Sequence, residues 1–353
     1  MAFINDPVTF VVPGDLHLTE FGLPNHRAAL QVVEELNTLI RPDFVQFIGD
    51  NVQDATESQF RLFDDLRQRL ESPHYALVGD HDVHGDPGAT RFRDRFGTTF
   101  GATSLRGYRF LRLDTQQARP VGFWDAQINW LASELHSVIE TVDRPVIFQH
   151  NYPYQIWENF DGPGVDAWRS LVQTRRIEAI LCGHTHYWQV ANDGRNVTLA
   201  VRSIGDPEGG PPGYLVGHLQ GDDFAAVYRT VEDHGPLVMI THPRERILTN
   251  QPRQIVTGPD RIETRVWSRT EITRVSAQVD DGLFVSLERL SSENWAGPLD
   301  GERLAKGSHR LVVEAIDSTG MVGHHSIEFM VDPTGRFTAV PRVEPPIEWT
   351  KFC

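Results

Sequence analysis

Short apolar runs that end in glycine followed by Asp or His recur through residues 8–205 of this 353-residue chain. The strings are Gly14-Asp15-Leu16-His17, Gly49-Asp50-Asn51, Gly79-Asp80-His81-Asp82 and Gly183-His184-Thr185-His186, and His150 closes a further run. Residues 9–12, 44–48, 76–78, 110–113, 146–148 and 179–182 read as buried strands, being short and apolar without alternation. Between them, apolar residues fall at helical spacing: Val32, Val33, Leu36, Leu39 and Ile40, then Phe60, Phe63, Leu66 and Leu70. A third stripe, Ile128, Leu131, Leu135 and Val138, follows Asp125 as a helix cap. Strands alternating with helices predict an α/β layer fold. In open α/β sheets the ligand site lies beyond the carboxyl ends of the strands. Asp15, Asp50, Asp80, His150 and His184 each sit at or just past such an end. Strands far apart in sequence can therefore bring these side chains to one place.

The pattern changes after Gly205. Residues 207–213 are rich in Pro and Gly, and residues 214–219 and 224–231 read as a hairpin turning at 221–223. Helical periodicity then stops. Residues 263–267, 275–279, 284–290, 309–316 and 326–331 are short β-type runs separated by turn residues, which predicts a small β-sandwich. The expected organisation is an α/β domain over residues 1–250, a β-sandwich over 251–332 and an extended, Pro-punctuated tail over 333–353.

Three carboxylates and several imidazoles form a ligand set for two metal ions held close together, as in hydrolytic phosphate chemistry. A net charge of −15 argues against long nucleic acid as a partner. It does not exclude an anionic substrate, because bound metal ions dominate their local field. Cys182 and Cys353 are the only cysteines, so no disulfide framework is expected. Residues 1–13 lack the basic and apolar regions of a signal peptide, and no apolar stretch is long enough to span a bilayer. These features predict a soluble cytoplasmic protein with no membrane partner. The C-terminal β region is open to a role as an oligomerisation surface for a homo-oligomer or as a lid.

The ordered series Asp-x-His, Gly-Asp-Asn, Gly-Asp-His-Asp, His and Gly-His-Thr-His resembles the calcineurin-like metallophosphoesterase superfamily. The C-terminal β region resembles the Ig-like domain appended to some members. The resemblance implies a two-sheet α/β sandwich flanked by helices. It implies that Asp15, His17 and His186 hold one ion, that Asp80, His150 and His184 hold the other, and that Asp50 bridges them. Mn²⁺, Fe²⁺/Fe³⁺ or Zn²⁺ suit such a donor set. Water between the ions would be acidified to a hydroxide that attacks phosphorus in line with the leaving group. His81 resembles the histidine that contacts the phosphate and protonates the leaving oxygen. Asp82 is expected to orient His81, or alternatively to cap the turn. Asn51, Tyr152 and Trp188 are further candidates for substrate contact. The implied activity is hydrolysis of small phosphodiesters. A phosphomonoesterase or protein phosphatase on the same fold, and a non-catalytic metal-binding scaffold, are the alternatives.

Asp80 departs from the pattern, since the superfamily usually has Asn there. Asn coordinates through a neutral carbonyl oxygen, whereas an ionised Asp adds a negative charge and donates no hydrogen bond. Three carboxylates against two divalent ions leave a charge of about +1, and a hydroxide brings it to about zero. A phosphomonoester approaches about −2 near neutral pH, whereas a diester carries a single negative charge. The extra carboxylate is therefore expected to disfavour monoesters more than diesters.

Overall fold

The computed structural model describes residues 6–141, 143–154, 160–206, 211–221 and 223–344. Among these, two sheets stack face to face. One runs in the order Asp223–Thr230, Gly213–Gln220, Val8–Pro13, Phe44–Phe47, His74–Ala76. The other runs Arg342–Glu344, Gln189–Asn192, Val197–Ala200, Ala179–Cys182, Arg144–Gln149, Tyr108–Leu113, Gly101–Leu105. The fold is the expected α/β two-sheet sandwich.

The strand Val8–Pro13 shows why these runs fold as they do. Successive side chains point to opposite faces. Val8, Phe10 and Val12 enter the layer between the sheets, while Val11 meets the helices Pro24–Glu35 and Glu57–Arg67 on the outer face. Both faces are covered, so the run is apolar without alternation. In the middle layer Phe10 stacks on Phe44 with ring centres 5.4 Å apart, and Phe110 and Phe148 close the cluster. Burying each such ring contributes roughly 1.5–3 kcal/mol. The helices Asp125–Thr141 and Val165–Thr174 cover the outer face of the second sheet. The parallel strands Val8–Pro13, Phe44–Phe47, Arg144–Gln149 and Ala179–Cys182 end on the same side, and the loops after them carry the Asp and His residues.

The C-terminal region forms two antiparallel sheets around their own core. The strand Leu237–His242 pairs with Pro259–Trp267 of these sheets. Val238 and Ile240 enter the sandwich core, while Leu237 and Met239 pack into the α/β body. One strand is thus shared between the two cores. The expected run 284–290 is split: Val285–Ser286 pairs in one sheet and Glu288–Arg289 in the other, with Leu287 buried between them. Part of the expected tail forms the strand Arg342–Glu344 on the edge strand Gln189–Asn192. Residues 345–353 lie outside the described residues. No described helix is long and apolar enough to cross a membrane.

His242 fastens the two regions together. Its Nδ1 lies 3.0 Å from Asp223 of the α/β hairpin, and its Nε2 lies 3.0 Å from Asp260 of the sandwich. Burial alone would lower its pKa, but the hydrogen bonds to Asp223 and Asp260 outweigh that and push it up to about 10. The folded pKa exceeds the unfolded one, so this stabilisation is complete below about pH 6.5 and fades as pH rises through about 10. Thermal melting of wild type and His242→Gln from pH 6 to 10.5 should show a stability gap that narrows with pH. A gap that stays constant would exclude the charged bridge.

Candidate metal centre

All seven candidate ligands converge. Asp15, His17, Asp50 and His186 form one group, and Asp50, Asp80, His150 and His184 form a second. Within each group, one donor atom per residue lies within 4.8 Å of all the others. Asp50 belongs to both, which is the geometry a bridging carboxylate needs.

The backbone is strained to achieve this. Asp15, His17, Asp50, His184 and His186 all have positive φ, between 43° and 69°. Left-handed backbone costs an L-residue roughly 1–2 kcal/mol, and such strain gathers where surrounding structure enforces a functional geometry. The glycines in the strings follow from the same crowding. A Cβ on Gly79 would overlap the Asp50 carboxylate, and one on Gly49, whose φ is +100°, would overlap His150.

The donor set fits cations. His150 Nδ1 donates to the Ile48 carbonyl at 2.9 Å, so its Nε2 lone pair faces Asp80 Oδ1 at 3.1 Å and Asp50 Oδ2 at 3.3 Å. His184 Nδ1 lies 3.0 Å from the same Asp80 oxygen. His17 Nδ1 donates to Gln53 Oε1, and its Nε2 meets His186 Nε2 at 3.0 Å. Asp15 Oδ2 is buried without a hydrogen-bond partner. Lone pairs directed at lone pairs and carboxylates call for positive charge between them. Burial opposes charge on His150, but the Asp50 carboxylate holds its pKa well above the ordinary value. Burial also raises Asp50 and Asp80, yet the neighbouring histidines outweigh it and hold both carboxyls below their usual range. Burial lowers His17, which keeps that ring neutral and able to coordinate.

The remaining site candidates are Asp82, Asn51, Tyr152, Trp188 and His81. Asp82 is hydrogen-bonded to the loop that carries Asp50. Its buried carboxylate accepts from Asn51 Nδ2 (2.9 Å), Val52 N (3.1 Å) and Gly79 N (3.0 Å), tying the Asp50 loop to the Asp80 loop. Burial and then the Asp50 charge push its pKa up to about 7. Asn51 is fully buried, with its amide N–H groups given to Asp82 and the Leu77 carbonyl, so it braces the loop. Tyr152 is also fully buried, in the core under the second sheet and against Tyr154. Trp188 is half-buried, packed on the middle layer with its ring centre 5.7 Å from that of Tyr228. His81 stands at the centre. Its backbone N–H donates to Asp50 Oδ1 at 2.9 Å, its Nδ1 donates to the Gln53 carbonyl at 2.8 Å, and its Nε2 lies 3.9 Å from Asp80 Oδ2.

Sequence comparison agrees with this arrangement: residues 8–188 match the family model for calcineurin-like phosphoesterase. The chain belongs to the calcineurin-like phosphoesterase family. Membership of this family implies phosphoester hydrolysis. A tartrate-resistant acid phosphatase type 5 from Mus musculus is 27% identical over 279 residues, spanning 63% of this chain and 82% of that protein. A probable glycerophosphodiester phosphodiesterase from Arcobacter nitrofigilis is 23% identical over 181 residues, spanning 46% of this chain and 63% of that one. In fold, this phosphoesterase is similar to a dimetal phosphatase from Danio rerio, with a TM-score of 0.54, 14% identity, and coverage of 64% of this chain and 97% of that chain.

Proposed function

We propose that this phosphoesterase hydrolyses small phosphodiesters at a two-ion centre. In this reading Asp15, His17 and His186 hold one ion, Asp80, His150 and His184 the other, and Asp50 both. The observation that carries the diester preference is the ionised Asp80 carboxylate, with His150 and His184 on one of its oxygens. Mn²⁺, Fe²⁺/Fe³⁺ or Zn²⁺ bound there supply Lewis acidity and a nucleophile at neutral pH. His81 directs its Nε2 toward the centre and, when protonated, donates to the departing oxygen. Asp82 and Asn51 hold the two acidic loops together. The resemblance to an acid phosphatase supports the rival monoesterase reading. The same proposal takes the C-terminal sheets as an Ig-like module and, with the buried free thiol of Cys182, the chain as cytoplasmic.

Asp80→Asn tests the proposal. Two unit charges about 5 Å apart at an effective dielectric near 20 interact by about 3 kcal/mol. The wild type should turn over bis-aryl phosphate in preference to aryl phosphate. The variant should shift that kcat/KM ratio toward the monoester by about tenfold or more, which is about 1.4 kcal/mol. Ion content is measured on the same samples. An unchanged ratio with unchanged ion content removes the charge argument, and a wild-type preference for monoesters removes the diester reading.

A further inference from the structure

We infer that Gln53 is a positioning residue that aims both a metal-ligand candidate, His17, and the proton donor, His81, into the centre. The inference rests on the two-ion reading above. The loop carrying His17 and the loop carrying Asp50 run side by side: His17 N donates to the Asp50 carbonyl at 2.9 Å, Leu18 N to the Asn51 carbonyl at 3.3 Å, and Gln53 N to the Leu18 carbonyl at 3.1 Å. This pairing places Gln53 against His17. Its side-chain Oε1 accepts from His17 Nδ1 at 2.9 Å, and its main-chain oxygen accepts from His81 Nδ1 at 2.8 Å.

Both imidazoles are thereby fixed in the same tautomer, with Nδ1–H outward and Nε2 inward. His17 Nε2 then lies 3.0 Å from His186 Nε2 and 3.7 Å from Asp50 Oδ2. The two rings meet edge to face with centres 4.6 Å apart, so each also limits the rotation of the other. An amide suits the task because it supplies an acceptor without charge. A carboxylate at this position would add a fourth negative charge to a centre that Asp80 already brings near neutrality.

Removing a partner that orients a ligating histidine typically costs 10–100-fold in metal affinity. Gln53→Met keeps the length and removes the side-chain acceptor. Gln53→Glu keeps an acceptor. Each full-length protein is stripped of metal and titrated with Mn²⁺ by calorimetry. Wild type should take up two ions. Gln53→Met should bind one of them 10–100-fold more weakly and the other within about threefold of wild type. Gln53→Glu should restore tight binding, a rescue that a merely space-filling role would not produce. Both variants retain the main-chain carbonyl, so the dependence of rate on leaving-group basicity should be as in wild type. Wild-type affinity at both sites of Gln53→Met, or equal weakening in Met and Glu variants, overturns the role of Gln53. A wild type that binds no Mn²⁺ overturns both this inference and the two-ion reading.

Discussion

Asp50→Asn should lose at least one of the two bound ions and reduce turnover by about 10³-fold or more, equivalent to roughly 4 kcal/mol of transition-state stabilisation. Asp50 is the residue common to both donor groups. Its Oδ2 lies 3.3 Å from His150 Nε2 and 3.7 Å from His17 Nε2, while Oδ1 accepts the His81 backbone N–H at 2.9 Å. Asn can keep one of these oxygens. The other becomes an NH₂ group, which cannot coordinate a cation. The side chain is buried, so water does not readily take the lost place. The fold should survive, because Asn is among the residues that best tolerate the left-handed φ of +50° found here. Elemental analysis, turnover and a melting curve of the metal-free protein separate these effects. An Asp50→Asn protein holding two ions at full turnover would sink the bridging role.

The centre was legible because its signal is local. A glycine, an acid or histidine and a preceding apolar run fit within a few residues, and parallel strands carry them to one end. What lies around the ligands was not legible in the same way. Tyr152 is two residues from His150, yet one side chain lies in the centre and the other in the core beneath the second sheet. Asp82 follows His81 directly, but its carboxylate turns back to Asn51, Val52 and Gly79. Adjacency in the chain says little about where a side chain points in a tight turn. Gln53 left no trace because its partner His17 is 36 residues away and the bond depends on loop pairing. In the fold, the strand Leu237–His242 was missed for a related reason. Its alternate residues serve two different apolar cores, so the polar-apolar alternation that marks a half-buried strand is absent.

His81→Gln should leave two ions bound and separate substrates by their leaving groups. The side chain sits in the short turn His81–Val83, and the hydrogen bond from its backbone N–H to Asp50 does not depend on side-chain identity. The ligands therefore stay in place when the ring is removed. What disappears is the Nε2 held toward the centre by the Gln53 carbonyl on Nδ1. An alkyl alkoxide is strongly basic and needs a proton as it leaves, and a positioned acid contributes typically 10²–10⁴-fold. Hydrolysis of alkyl diesters should fall by that amount. A p-nitrophenyl diester releases an anion that is stable near neutral pH, and its hydrolysis should fall by less than about tenfold. A plot of log rate against leaving-group pKa should accordingly be steeper for His81→Gln than for wild type. If both substrate classes lose the same factor while ion content is unchanged, His81 binds the phosphate and does not move the proton. The proton would then have to come from elsewhere at the centre, and the carbonyl of Gln53 would be aiming a hydrogen-bond donor for the phosphate oxygens.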